Sequence, residues 1–555
     1  MSAYSVPEAA APTDLKLAGN EGIGPDASLF ASSDAVATER LRCYPSNRDL
    51  QSALADWLML PADQVLLTAG GDEALDRICR WALRDGGRAI LPWPGFEMTR
   101  RYLALTSARV DTVVWEEHAY PIEDVLNAIQ DSTKLIVVTS PNNPTGGVAR
   151  ARDLHLLAAA APHAVLLVDL AYAEFAEQDL TEAALKLPQA VVVRTFSKAW
   201  GLAGCRVGYC LGSPQAIAEL AATGGPYPVA GPSLALAQTR LEVGQAEMRE
   251  NVRQTKRRRD ELYACLQEIG WKPRRSEANF VCCEPNDPLQ ARDALAGFGI
   301  AVRAWPGQAG LDKLLRISCP THEQDQARLL HALRSIACPQ ALLLDLDGVL
   351  ADVSQSYRRC ILETARTYGV EIEFAAVQAA KEKGGFNNDW VLTRALLAEA
   401  GVEASLAEVT ARFEAIYQGT PQQPGLRRTE SLIGGDATRA CLQRLAQGMP
   451  LAIVTGRPRA DAQRFLAEQG IGDSIQVLVG LEDAPNKPRP DPLQRAMREL
   501  NVQRAWMVGD TVDDIRAARA AACLPIGFLA APTPLYQAGA SCVLDQIEAV
   551  EALLS

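Results

Sequence analysis

Val165-Leu166-Leu167-Val168-Asp169-Leu170-Ala171-Tyr172 and Val191-Val192-Val193-Arg194-Thr195-Phe196-Ser197-Lys198 share one form: an apolar, β-branched run that ends in polar residues. Near-continuous Val/Ile/Leu runs of this kind fit strands covered on both faces, as in a mostly parallel sheet sandwiched by helices. Side chains just beyond the carboxyl ends of such strands reach a common cleft. Asp169 and Lys198 are therefore the first candidates for chemistry.

Working outward, further runs at Val65-Leu67, Ala89-Leu91, Val110-Val114, Leu135-Thr139 and Arg206-Leu211 alternate with helical stretches. Ahead of them Leu50, Ala53, Leu54, Trp57 and Leu58 recur at the spacing of one helix face. After Leu211 comes a Gly/Pro-rich loop, then a long helical stretch from about Leu234 to Ile269. A smaller α/β region follows to about Ile336. Ala337-Cys338-Pro339-Gln340 reads as a linker. Beyond it a second strand-first unit begins, with runs at Ala341-Leu344, Leu451-Val454, Ile475-Val479, Ala505-Val508 and Ile526-Leu529, interrupted from about Val353 to Leu432 by helical sequence. Two doubly wound α/β modules in series are expected.

At 555 residues the chain exceeds one hydrophobic core, and a prior of ~150 residues per domain suggests three or four. The formal net charge of −12 disfavours nucleic acid as a partner. The one obvious basic run, Lys256-Arg257-Arg258-Arg259, is expected on a solvated helix face. Thirteen cysteines show no CxxC pair, and no apolar run approaches 18 residues, so neither zinc, a disulfide framework nor a membrane is expected. The reducing cytosol is the expected location.

A lysine held in a cleft can lose its proton and form a Schiff base. Asp169 can hold a pyridinium nitrogen protonated, and Tyr172 and Asn143 can reach a ring oxygen. Thr68-Ala69-Gly70-Gly71-Asp72-Glu73 opens a helix after a strand, so the Gly71 and Asp72 amides can cradle a phosphate, with Ser197 and Arg206 adding a hydroxyl and a fixed charge. Singly each has a structural reading: Asp169 as a helix cap, Asn143 as a turn residue, Gly70-Gly71 as a tight turn.

Together they form a pattern. Tyr44-Pro45, Gly71-Asp72-Glu73, Pro94-Gly95-Phe96, Asn142-Asn143-Pro144-Thr145-Gly146, Asp169-Leu170-Ala171-Tyr172, Ser197-Lys198 and Gly204-Cys205-Arg206-Val207-Gly208 resemble the fold-type I aminotransferases, most closely the histidinol-phosphate aminotransferase branch. The resemblance covers roughly residues 15 to 336. It implies pyridoxal 5'-phosphate, with Lys198 as Schiff-base lysine and proton shuttle, Asp169 on the pyridine nitrogen, Asn143 and Tyr172 on the ring oxygen, and Phe96 stacked on the ring. Gly71, Asp72, Ser197 and Arg206 would bind the cofactor phosphate, with Tyr44 donated by a neighbouring subunit of a homodimer. Arg316 in Leu315-Arg316-Ile317-Ser318 would anchor a substrate anion, with Arg303 a second candidate. There are two departures, Asn20-Glu21-Gly22-Ile23-Gly24-Pro25 in place of an Asn-Glu-Asn-Pro motif and Leu170 in place of a glutamate. The resemblance implies that the first loop helps form the substrate pocket and so bears on substrate identity, and neither change touches the cofactor chemistry.

In the second unit Leu344-Asp345-Leu346-Asp347-Gly348 puts two carboxylates just past an apolar strand, one able to attack phosphorus and the other to protonate a leaving oxygen. Thr455 in Val454-Thr455-Gly456-Arg457, Lys487, and Asp510 with Asp514 follow in order. A hydroxyl and an ammonium can hold phosphoryl oxygens while acids bind a hard cation. This series resembles the haloacid dehalogenase superfamily, over roughly residues 340 to 550. It implies Asp345 as nucleophile, Asp347 as general acid/base, Thr455 and Lys487 as phosphoryl ligands, and Mg²⁺ held by Asp345, Asp510, Asp514 and the backbone of Asp347. The helical insert resembles the small cap of phosphoglycolate-phosphatase-like members, in which Lys383-Gly384-Gly385-Phe386-Asn387-Asn388-Asp389-Trp390 would be a substrate loop.

The expected architecture is thus an aminotransferase over 1–336, with a large domain at about 45–220 and a small domain from the N-terminus plus 221–336. A Rossmann-like phosphatase over 340–555 would follow, capped at about 353–432. The expected function is bifunctional: transamination to an amino phosphate ester, foremost histidinol phosphate in histidine biosynthesis, then hydrolysis of its phosphate. The alternatives are the same chemistries on another amino acid or amino alcohol phosphate, or a decarboxylase of threonine-phosphate type fused to a phosphatase.

Overall fold

The computed structural model describes residues 4–554 apart from Ser32, Phe386, Asn387, Pro421 and Ala530. It divides into two compact units: Leu17–Pro288 with Val302–Ala327, and a second comprising the N-terminal residues to Lys16, Leu289–Ala301 and the chain from Arg328 onward.

The first unit is built on a seven-stranded sheet in the order Val65–Thr68, Gly208–Leu211, Ala190–Thr195, Val165–Asp169, Thr133–Thr139, Arg88–Trp93, Arg109–Val114. Its strands alternate between two cores. Ile136, Val138, Leu166, Val168 and Val192 face one side, and Leu135, Val137, Leu167, Val191 and Val193 face the other, all buried. This two-sided burial is why the runs carry no polar alternation. Gly208–Leu211 is the exception in direction, antiparallel to both of its neighbours. The strand begins two residues later than its apolar run, because Arg206 takes a left-handed backbone (φ 53°). The helix Arg48–Leu58 buries Leu50 and Leu54, with Ala53, Trp57 and Leu58 against the same core. Phe280–Cys283, Leu315–Ser318 and Arg303–Ala304 make a small antiparallel sheet.

Two expectations need correction here. The long helical stretch is two helices, Gly231–Val243 and Gln245–Glu268, broken at Gly244. The basic run on the second helix is not a solvated face. Arg258 is buried and donates to the carbonyls of Pro320 and Thr321, Arg259 to Ala278, and Lys256 to Ala176, so only Arg257 of the four is exposed. Loop carbonyls that lack a strand partner take these cations as hydrogen-bond donors.

The second unit carries a six-stranded, all-parallel sheet in the order Val477–Val479, Leu451–Val454, Ala341–Leu344, Ala505–Gly509, Leu524–Phe528, Cys542–Leu544. The last, a three-residue edge strand, was not anticipated, and the strand expected from Ile475 starts at Val477. Between the first two motifs four helices, Tyr357–Arg366, Phe374–Lys383, Asp389–Glu399 and Leu406–Gln418, form the cap. The antiparallel pair Ala351–Asp352 and Ser431–Leu432 closes its base. Within this unit Trp506 Nε1 donates to Ser335 O, fastening the helix Glu323–Ala337 through its C-terminal part beside the central strands. Among the described residues no helix is long and apolar enough to cross a membrane.

Leu343 lies fully buried at the centre of this sheet, against Val454, Met507 and Ala496 among others. Leu343→Ala is expected to lower the free energy of amide exchange in Ala341–Leu344 by about 2–5 kcal/mol, read by hydrogen–deuterium exchange. A loss below about 1 kcal/mol would show that the position is loosely packed.

Candidate active sites

In the first unit Val165–Asp169 and Ala190–Thr195 are adjacent parallel strands, so their carboxyl ends deliver Asp169 and the Ser197-Lys198 segment to one place. Asp169 is buried, its carboxylate accepting the Ala171 N–H at 3.1 Å. Burial is the main reason its proton affinity is pushed up to about 6, and the Lys198 charge acts against that rise. Lys198 responds oppositely: burial, then the positive charge of Arg316, bring its amine down to about 8. Its Nζ donates to Gly19 O at 3.2 Å and lies 5.7 Å from the centre of the Tyr172 ring.

The loop Gly19–Gly24 covers this lysine. A side chain at Gly22 would place Cβ 1.7 Å from the Lys198 carbonyl oxygen, so only glycine allows the approach. Asn20, in a left-handed conformation, donates to the Tyr172 hydroxyl at 3.0 Å, accepts from Ser318 Oγ at 2.7 Å, and has its carbonyl bound by Asn279. Sequence reasoning named this loop as a substrate-pocket element but not Asn20 as the residue that orients Tyr172. An asparagine, which tolerates positive φ, was the available signal.

Arg316 Nη1 donates to Asn143 Oδ1 at 2.5 Å and its Nη2 to Ala18 O, and the guanidinium sits over the Phe280 and Trp305 rings. Asn143 and Arg316, 173 residues apart, are thus brought together. Arg303 is placed differently: it forms an ion pair with Glu97 at 2.8 Å, an oxygen also bound by Trp305 Nε1. Tyr44 is 82% exposed and stacks on Tyr227, outside the buried cluster. Phe96 is half-buried beside the core.

The residues expected around a cofactor phosphate also converge. Arg206 Nη2 donates to Asp72 Oδ2 at 2.8 Å and its Nη1 approaches Ser197 Oγ at 3.5 Å. The helix Gly70–Ala82 starts here with Ala69 as its N-cap, which has no side chain to bond the first helical amides. A Cβ on Gly70, whose φ is +76°, would come within 2.7 Å of Arg206 Nη2. An uncapped helix N-terminus, a hydroxyl and a guanidinium around space that only glycine leaves open fit a phosphate. A buried acid with elevated proton affinity fits a protonated ring nitrogen. The residues present therefore fit pyridoxal phosphate.

In the second unit the central strand Ala341–Leu344 ends at Asp345, whose N–H continues the sheet to Val508 O at 2.9 Å. Lys487, buried, donates to Asp345 Oδ1 at 2.8 Å and to Val454 O at 2.9 Å, and pairs with Asp514 at 2.5 Å. Carboxylate oxygens of Asp345, Asp510 and Asp514 lie within 4.8 Å of one another. Burial and this mutual repulsion push Asp510 up to about 7 and Asp345 well above the carboxylate range, against the pull of Lys487 on Asp345. Oδ1 of Asp510 is buried without a hydrogen-bond partner among the described residues. Three converging acids, one with an orphaned oxygen, fit a hard divalent cation. Thr455 Oγ1 accepts the Arg457 N–H at 3.1 Å, fixing the turn after Leu451–Val454. Asp347 is held by Arg457 Nε, a partner that sequence reasoning missed although it quoted the residue.

A cavity of about 360 Å³ opens beside Asp510, lined by Gly348, Asp352, Arg358, Lys381 and Thr511 among others. Of the expected cap loop, Phe386, Asn387 and the Lys383 side chain lie outside the described residues. Gly385 N–H donates to both oxygens of Asp513, at 3.0 and 2.7 Å, and Asn388 caps the helix Asp389–Glu399.

Residues 12–335 match the family aminotransferase class I and II, and residues 339–522 match haloacid dehalogenase-like hydrolase. Histidinol-phosphate aminotransferase of Symbiobacterium thermophilum is 34% identical over 329 residues, 58% of this chain and 90% of that protein. Imidazoleglycerol-phosphate dehydratase of Phytophthora nicotianae is 44% identical over 218 residues, 38% of this chain; the chain spans 46% of that relative's length. Among solved structures, histidinol-phosphate aminotransferase from Sinorhizobium meliloti, in complex with pyridoxal-5'-phosphate, matches with a TM-score of 0.53 and 27% identity, covering 59% of this chain and 92% of that one. The chain therefore belongs to the aminotransferase class I and II family, and the segment that follows matches haloacid dehalogenase-like hydrolase.

Proposed function

We propose that the first site transfers an amino group to a keto phosphate ester, foremost giving histidinol phosphate, and that the second removes the phosphate. The supporting observation is that one chain holds both a half-buried lysine of lowered proton affinity, in the same strand-end segment as Ser197, and a buried carboxylate–lysine–acid cluster. The names of two relatives, histidinol-phosphate aminotransferase and imidazoleglycerol-phosphate dehydratase, both concern imidazole-bearing phosphate esters, which favours that substrate over other amino phosphates.

In the first site pyridoxal phosphate, when bound, supplies the electron sink for amino transfer. Gly71, Asp72, Ser197 and Arg206 would hold its phosphate, Asp169 its ring nitrogen, and Asn143 and Tyr172 its ring oxygen, with Phe96 against the ring. Tyr44, exposed here, is assigned to the phosphate of the partner subunit in a homodimer. Lys198 would attach it, and its Nζ takes a proton from the donor's α-carbon and returns one to the product. An amine near 8 suits both halves of that exchange close to neutral pH. Arg316 would grip the carboxylate or phosphate of the substrate. Arg303, tied to Glu97, would support the pocket wall instead.

In the second site Asp345 attacks phosphorus, the bond to the ester oxygen breaks, and Asp347 gives that oxygen its proton. Water then attacks the aspartyl phosphate while Asp347 takes a proton back, releasing phosphate and restoring Asp345. Thr455 and Lys487 neutralise the phosphoryl oxygens. Mg²⁺, held by Asp345, Asp510, Asp514 and the Asp347 backbone, would supply the charge that lets an anion approach these acids.

Incubation with imidazole-acetol phosphate and glutamate is expected to yield histidinol and free phosphate. Lys198→Ala should make neither, yet still release phosphate from added histidinol phosphate. Asp345→Asn, or chelation of the metal, should stop the sequence at histidinol phosphate. Turnover of neither compound by the wild-type enzyme would remove the substrate assignment.

A second expectation concerns Lys198 alone. Because its amine is brought down to about 8, the cofactor-free protein should react with added pyridoxal phosphate at a rate that rises with pH and levels just above 8. A rate still climbing at pH 10 marks an ordinary lysine and sinks the desolvation argument.

A further inference from the structure

Arg457 is 1% exposed, and its side chain meets Asp347 of the acid/base pair, residues of the cap and its base, and Phe465 of the helix that follows. Its Nε holds Asp347 Oδ1, and its Nη1 donates to Glu430 Oε2 at 2.9 Å. The guanidinium lies 4.7 Å from the centre of the Tyr357 ring, on the first cap helix, and 5.5 Å from that of Phe465. Tyr357 packs at 4.4 Å on Tyr417 of the last cap helix, and the Tyr417 hydroxyl donates to the same Glu430 at 3.1 Å. Asp347, Arg457 and Tyr357 share a small recess with Asn388 and Trp390 of a third cap segment. The arginine's own backbone is pinned by Thr455 Oγ1, so the turn that presents one phosphoryl ligand also fixes where the guanidinium starts.

A guanidinium so deeply buried needs its carboxylates in place, because leaving it uncompensated in the interior is unfavourable. Glu430 and the two tyrosines complete that environment only when the cap helices are seated. Fork geometry lets one guanidinium hold two carboxylates at fixed directions, which a lysine cannot do. We propose that Arg457 is the positioning residue of the hydrolase, aiming Asp347 at the leaving oxygen and making that aim depend on cap seating through Tyr357, Tyr417 and Glu430. The inference rests on Asp347 being the acid/base of the reading above.

The test uses the full-length enzyme with Mg²⁺ and a series of phosphate monoesters, from 2,4-dinitrophenyl phosphate through phenyl phosphate to an alkyl phosphate. A dinitrophenolate leaves without a proton, whereas an alkoxide needs one, so misplacing the acid hits the alkyl ester selectively. Arg457→Ala is expected to lower kcat/KM on the alkyl ester by about 100-fold or more, and on the dinitrophenyl ester by roughly 3-fold or less. Arg457→Lys, keeping charge without the fork, should recover part of the alkyl-ester loss. An equal fall across the series, or none, overturns the proposal. If Arg457→Ala does not fold, Tyr417→Phe removes a single hydroxyl from Glu430 and should still steepen the leaving-group dependence several-fold; an unchanged slope overturns the link to the cap. Turnover by Asp345→Asn on the same series would instead sink the underlying phosphatase reading, whatever Arg457 does.

Discussion

One half-buried and one buried lysine stand at these sites, and desolvation by itself drives both toward the neutral amine. Lys198 follows it: Arg316 adds to desolvation, and the opposing pull of Glu21 and Asp72 does not restore the charge. Lys487 goes the other way, held charged by Asp345 and Asp514 at hydrogen-bonding distance. The same side chain is thus drawn toward the neutral amine in one pocket and held as a cation in the other, where carboxylates sit at hydrogen-bonding distance. Everything else in each site is arranged around that difference. A neutral amine can be a nucleophile and a proton carrier. A permanent ammonium can stabilise a transferred phosphoryl group but takes no proton.

The acids follow the same logic. Burial lifts Asp169 to about 6, with the Ala171 N–H and the Lys198 charge opposing the rise and Asp72 adding to it. Asp345 and Asp510 are crowded by other acids, and that crowding, more than any single contact, is what calls for a divalent ion. In both units the groups meet because parallel strands end on one edge, where the backbone has no further ladder bonds to make and the chain turns into a helix.

Most of this was legible from the sequence because it is local. Strands buried on both faces leave unbroken apolar runs, and the residue that follows each run is the one in the cleft. What escaped was pairing across long separations. Nothing near Arg303 in the chain announces Glu97, 206 residues earlier, and nothing near Asn20 announces Tyr172. The run Lys256–Arg259 looked like solvent-facing charge because its acceptors, the carbonyls of Pro320, Thr321, Ala278 and Ala176, have no sequence signature. An apolar run also carries no direction, so the antiparallel setting of Gly208–Leu211 could not be read from it. The short edge strand Cys542–Leu544, only half-buried, falls below the length at which a run stands out. Arg457 was visible as a letter, but its neighbours Tyr357 and Glu430, with Tyr417 behind them, come together only on folding.

Arg316 shows how one side chain can serve binding and chemistry through a single field. Its guanidinium, oriented by Asn143 and Ala18 and flanked by Phe280 and Trp305, is the largest electrostatic contributor to the low proton affinity of Lys198 after burial. A substrate anion seated on that guanidinium would neutralise the charge that holds the amine down. Lys198 would then become a stronger base at the moment a proton must be taken, and a weaker one when the anion leaves. Such a coupling would need no movement of the backbone, because Coulomb interaction acts more strongly in a desolvated pocket than in water.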